Sequence, residues 1–124
     1  ADNELLDGLT KFAQPPGMFA LLEGVYCDTD MLMTGHDHNR ELIDKGTDSS
    51  CPNTYFAISG AGAKTRTSKF PKVMGSLYYD ETVEGFAYME FTSTSFSFEF
   101  YDVPPGDCVG SASKMPAFAK VITK

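Results

Sequence analysis

Two histidines one residue apart, His36 and His38, are the only histidines in the chain. They close the run Met31-Leu32-Met33-Thr34-Gly35-His36-Asp37-His38-Asn39, apolar at first and then polar around a glycine. Imidazole is the commonest metal ligand among side chains. On a strand, residues i and i+2 share a face, and a turn just past a strand end can also aim two imidazoles at one point. Gly35 allows a tight bend without a Cβ clash, and Asp37 and Asn39 suit a turn. The pattern reads as a half-site for one or two metal ions at the mouth of a sheet. The competing reading is a polar surface turn with no ligand role.

The elements that must position this turn follow from periodicity. Leu5, Leu6, Leu9 and Phe12 form a helical stripe over 4–13, stopped by Gln14-Pro15-Pro16-Gly17. Met18, Leu21, Leu22 and Val25 predict a second helix over 17–26 with that face toward the core. A strand over 31–34, the histidine turn and a strand over 40–43 leaving the site come next. Helix, strand and ligand-bearing turn in that order predict an α/β or α+β arrangement, in which active groups collect beyond the carboxyl ends of strands. Residues 44–53 read as a polar loop and Tyr55-Phe56-Ala57-Ile58 as a buried strand.

Ser59-Gly60-Ala61-Gly62-Ala63 lacks the spacing of a nucleotide-binding P-loop. Its glycines predict a close backbone approach instead. Lys64, Arg66, Lys69 and Lys72 hold four of the ten basic residues within nine positions. A solvated loop is expected there, although such a run can attract an anionic substrate. Residues 73–80 show no decisive pattern. Gly85 opens a long β region, with Phe86, Tyr88 and Glu90 on one parity and Ala87, Met89 and Phe91 on the other. Phe96-Ser97-Phe98-Glu99-Phe100 alternates cleanly, so an antiparallel hairpin with one buried and one wet face is predicted, its phenylalanines in the core. A turn over 102–110 and a final edge strand over 117–122 complete the chain.

The 124 residues are enough for one domain, and 42% hydrophobic content with ten phenylalanines argues against disorder. A net charge of −7 argues against a nucleic-acid binder. No apolar run approaches the roughly 20 residues of a membrane span. The start Ala1-Asp2-Asn3-Glu4 is acidic and polar, and reads as a mature or internal start rather than a signal peptide. Cys27, Cys51 and Cys108 match no zinc or redox motif. One internal disulfide with an odd thiol, a bridge to another chain and full reduction all stay open.

The run Gly35-His36-Asp37-His38-Asn39, followed by Arg40-Glu41-Leu42-Ile43, resembles the last metal-binding block of the calcineurin-like metallophosphoesterases. Within them it is most similar to the purple (tartrate-resistant) acid phosphatases. Two further stretches agree in order, Phe56-Ala57-Ile58-Ser59-Gly60-Ala61-Gly62 and Glu84-Gly85-Phe86-Ala87-Tyr88-Met89-Glu90-Phe91.

The resemblance implies a four-layer α-β-β-α sandwich with mixed and antiparallel sheet. It also implies phosphomonoester hydrolysis at a two-metal centre of iron with iron, zinc or manganese. His36 would match the ligand of the divalent ion and His38 that of the ferric ion. Gly35 would match the turn glycine, with Asp37 and Asn39 as supporting turn residues. A secreted or lysosomal/vacuolar setting is implied too.

The family's four earlier blocks do not occur: an amino-terminal aspartate, Asp-Asn-x-x-Tyr, Asn-His-(Asp/Glu) and His-(His/Tyr)-Pro. The 124 residues would then be one partial domain, the carboxyl-terminal third or so of the fold, starting just after the last of these blocks. No catalytic residue is assignable in it alone. Two imidazoles cannot saturate two metals that each want roughly four to six ligands. The chain is therefore expected to be inactive alone and to need an amino-terminal piece or another subunit. The alternative is a structural or interaction module that has left catalysis. A third reading, a standalone one-metal site, would need Asp28, Asp30, Asp37 or Glu41 beside the histidines.

Overall fold

The computed structural model describes residues 24, 25, 27–67, 72–103 and 115–123. These form two β-sheets packed face to face. One is mixed, made of β1 (Met31–Thr34), β2 (Arg40–Ile43), β3 (Tyr55–Ser59) and β4 (Ser76–Asp80) in the order β1-β3-β2-β4. The other is antiparallel, made of β5 (Gly85–Phe91), β6 (Ser95–Asp102) and β7 (Phe118–Thr123) in the order β5-β6-β7. Gly24 and Val25 are helical. The rest of the predicted 17–26 helix, the 4–13 helix and nearly all of the 102–110 turn lie outside the described residues. Val25, expected on a core face, is 56% exposed.

Most strands sit where apolar runs and alternation placed them, β4 being the exception. Phe96, Phe98 and Phe100 of β6 point inward and are buried, meeting Leu42, Tyr55 and Ala57 of the mixed sheet, with Ile122 of β7 beside them. Fully burying such a side chain is worth about 1.5–3 kcal/mol, so three on one strand make β6 the spine of the core. Phe98 and Phe100 meet edge to face with centroids 4.9 Å apart. Ala87 and Met89 of β5 also pack inward. Phe86 and Phe91 do not: they are 48% and 62% exposed, which corrects the expectation that the hairpin's phenylalanines are all core. Phe86 belongs to the outward parity and stacks on Tyr101 across the pair. Phe91 ends its strand and leans on Phe96. Among the described residues β7 is an edge strand, as expected.

A smaller cluster of Ile43, Phe56 and Cys51, with Leu32 and Cys27 against it, covers the outer face of the mixed sheet. A disulfide joins Cys27 to Cys51. Cys108 lies outside the described residues. Closing a loop of this size constrains the unfolded chain by about 3.5 kcal/mol in the entropic account. The bridge spans 24 residues, the same offset as the parallel pair Met31↔Tyr55 at the start of β1 and β3.

Arg40 links the two sheets. Its side chain is fully buried, and Nη2 lies 2.7 Å from the Asp102 carboxylate of β6 and 3.6 Å from Asp80 of β4. The same guanidinium donates to the Tyr101 and Val83 carbonyls. The rings of Tyr78 and Phe100 flank it at about 6 Å, within cation–π range. Gly85 is the required neighbour, since a Cβ there would fall 2.6 Å from Nη1 and 2.1 Å from the Tyr101 carbonyl oxygen.

Candidate metal half-site

The histidine turn sits at the carboxyl ends of β1 and β3, two strands that run parallel. That end of a sheet is where open α/β folds gather ligands. Gly35 to Asn39 form the link between β1 and β2, so both histidines lie on a turn rather than a strand. His36 carries the left-handed backbone, with φ of 77°, a conformation rare for side chains larger than Asn or Asp though His is enriched in it. Gly35, expected to supply the tight bend, does not have a positive φ, and a Cβ on it would meet only Ser59 O at 3.9 Å. His36 and Asp37 are exposed, His38 is half-buried and Asn39 is buried.

The glycine-rich stretch after β3 packs on this turn. A Cβ on Gly60 would fall 1.8 Å from the Asp37 carbonyl oxygen, so only glycine fits. The Gly60 amide donates to the Asn39 carbonyl at 3.0 Å, and the Arg66 amide donates to the His38 carbonyl at 3.4 Å. The close backbone approach predicted for the 59–63 glycines is thus realised at Gly60, whereas Gly62 has nothing within 4 Å.

Two polar atoms of the turn are buried and find no hydrogen-bond partner among the described residues: His38 Nδ1 and Asn39 Oδ1. Buried acceptors are ordinarily satisfied, and each exception calls for an explanation. Asn39 is otherwise held from one side. Burial pushes the Tyr79 hydroxyl up to about 12, and its hydrogen bond to Glu81 adds to that, while a hydrogen bond from the Asn39 side chain works the other way. The Tyr79 hydroxyl donates to Glu81 at 2.6 Å. Glu41, next along the strand face, is raised above the usual carboxylate range by burial, against hydrogen bonds from the Ser76 hydroxyl and the Val73 amide.

A metal pair fits these residues only in part. The unpartnered His38 Nδ1 is the kind of nitrogen a metal takes, but no group of three or more His, Cys, Asp or Glu that could hold an ion occurs among the described residues. This weakens the standalone one-metal reading. Asp28 and Asp30 precede β1 and so stand roughly 13 Å of strand away from the turn. Glu41 is engaged by Ser76 and Val73.

A cavity of about 310 Å³ lies elsewhere, at the β1 edge between the sheets, lined by Met31, Met33, Met89, Phe91, Phe96 and Asp30. Arg40 and Glu41, expected to open the strand leaving the turn, with Glu41 also a possible ligand of a one-metal site, prove to be buried charges behind the turn. Among the described residues no helix is long and apolar enough to cross a membrane. The chain matches no protein-family profile, no curated protein and no solved structure.

Proposed function

We propose that this chain is the carboxyl-terminal part of a binuclear-metal acid phosphatase that hydrolyses phosphomonoesters, completed by an amino-terminal piece that supplies the remaining ligands. The reading rests on the Gly35–Asn39 run, its two flanking blocks and their order. The observation that carries it is His38, with a buried and unpartnered Nδ1 in a turn at the carboxyl ends of two parallel strands. In this reading His36 and His38 each hold one metal, with Gly35, Asp37 and Asn39 shaping the turn. Helical layers over both sheets, contributed partly by the missing piece, would complete a four-layer sandwich. A bound pair of metals supplies Lewis acidity toward the phosphoryl group. What this chain contributes is the placement of two imidazoles, with Gly60 bracing the turn from behind.

Metal content and native mass on the same as-isolated particle test this directly. About two metals in a particle much heavier than 13.5 kDa are expected. His36→Ala and His38→Ala should each lower metal content and abolish hydrolysis of an aryl phosphate. Unchanged metal content and activity in both variants would overturn the assignment. A metal-free, inactive particle would favour the second reading, a structural or interaction module, which the edge of β1, unpaired among the described residues, supports because unpaired strand edges invite association.

A further inference from the structure

We propose that Lys64 and Arg66 are the anion-recognising residues of the histidine site and take the charged oxygens of a phosphate-bearing substrate. This rests on the phosphatase reading above and names the groups that would give it its substrate class.

The argument begins with how the 60–66 segment is fastened. One end is tied by the Gly60 amide to the Asn39 carbonyl, the other by the Arg66 amide to the His38 carbonyl. Between them, the Gly60 backbone presses on Asp37 too closely to admit a Cβ. The segment therefore doubles back along the histidine turn, with its two cations carried at the end that meets His38. Lys64 and Arg66 are exposed, and neither forms a salt bridge among the described residues.

The other described cations are placed differently. Arg40 is buried and committed to Asp80 and Asp102. Lys45 follows β2 at the far end from the turn, Lys72 acts on Glu41, and Lys120 sits over the Tyr55 ring. In a chain of net charge −7, with Asp37 exposed in the turn itself, fixed cations beside the histidines favour the approach of a phosphate to the site. Arginine offers a planar fork that matches phosphate oxygens, and lysine a mobile point charge. Exposure of both side chains agrees with the solvated loop expected there, and the proposal adds to it the anion attraction such a run allows.

Inorganic phosphate titrated into the 124-residue chain, followed by amide and imidazole chemical shifts, is the test. Shifts should concentrate at His38, Lys64 and Arg66. Arg66→Ala should weaken binding about fivefold, Lys64→Ala/Arg66→Ala should weaken it further, and Arg66→Lys should restore part of the loss. Lys120→Ala, on the other sheet, should change nothing. If the double variant binds phosphate as tightly as the unaltered chain, the proposal is overturned. In the complete particle the double variant should raise KM for an aryl phosphate while kcat holds, and an unchanged KM would refute it independently. Phosphate binding that depends on Lys64 and Arg66 in a particle without hydrolytic activity would uphold anion recognition and sink the phosphatase reading alone.

Discussion

Replacing Gly60 by alanine perturbs the histidine turn from behind without touching either imidazole. The new Cβ would lie 1.8 Å from Asp37 O, 2.8 Å from Asp37 C and 3.3 Å from Asp37 N. All three are backbone atoms, so no rotamer change relieves the overlap, and reaching ordinary contact means moving the strands' ends apart by about 1.6 Å. Overpacking of this kind costs about 1–3 kcal/mol. Separation also strains the 3.0 Å bond from the Gly60 amide to Asn39, a further loss of about 1 kcal/mol. The sum is about 2–4 kcal/mol, or a fall in Tm of roughly 8–16 °C for a chain of this length. Urea and thermal unfolding followed by far-ultraviolet circular dichroism would measure it, with the His36 and His38 ring signals as the local readout. Gly62→Ala is the matched control, since a Cβ there meets nothing within 4 Å, and it should fall within about 0.5 kcal/mol of the parent. Equal stability for the two variants, with unshifted histidine signals in Gly60→Ala, would refute the claim that the turn is braced by this contact.

Three other outcomes follow from the charged groups between and beside the sheets. Arg40→Met should destabilise by about 1–3 kcal/mol, because the Tyr101 and Val83 carbonyls lose their donor while Asp80 and Asp102, which lose their counter-charge, stay partly solvated, and urea unfolding would show it. Glu41 has its folded-state affinity for a proton raised, so its contribution to stability is fully present below the ordinary glutamate value and is lost as pH rises through the folded-state value. Glu41→Gln should therefore be more stable than the parent at pH 7 and lose that advantage near pH 3, and a flat difference across pH would contradict the burial argument. Asp80 has the opposite sign. Burial alone would raise it, but the Val83 and Thr82 amides and Arg40 together lower it. Its contribution is present above the ordinary aspartate value and is lost as pH falls through the folded-state value, so Asp80→Asn should flatten the acid limb of the same curve.

Most strands were legible because their side chains alternate or run apolar: 31–34, 40–43, 55–58 and 96–100 all fall inside observed strands. β4 was not. Its stretch inverts the usual pattern, with Met74 and Leu77 exposed while Ser76 turns inward to serve the buried Glu41. No local signal announces a serine whose partner is 35 residues away. The order β1-β3-β2-β4 was equally hidden, since pairing across chain order is decided by the packed face. Arg40 illustrates the same limit. Its place at the head of the 40–43 strand was legible, but its role is defined by Asp102, 62 residues on. At the turn, the two histidines and Gly60 were visible as types and spacing. That His36 rather than Gly35 takes the left-handed backbone was not, because it depends on how β3 closes against the turn.

The Cys27–Cys51 bridge and the β1–β3 pair share one offset, and this bears on how the sheet assembles in time. Parallel pairing is slow to find, since the loop between the strands must close before any ladder bond rewards it. A covalent tie ahead of both strands at the same offset brings Met31 and Tyr55 together beforehand and discourages pairings shifted along the chain. Oxidation thus converts the slowest search in the mixed sheet into a local zippering toward the histidine turn. Under reducing conditions the same chain must find that register without the tie. Assembly of the histidine turn is in this sense timed by the redox state of the compartment in which the chain folds.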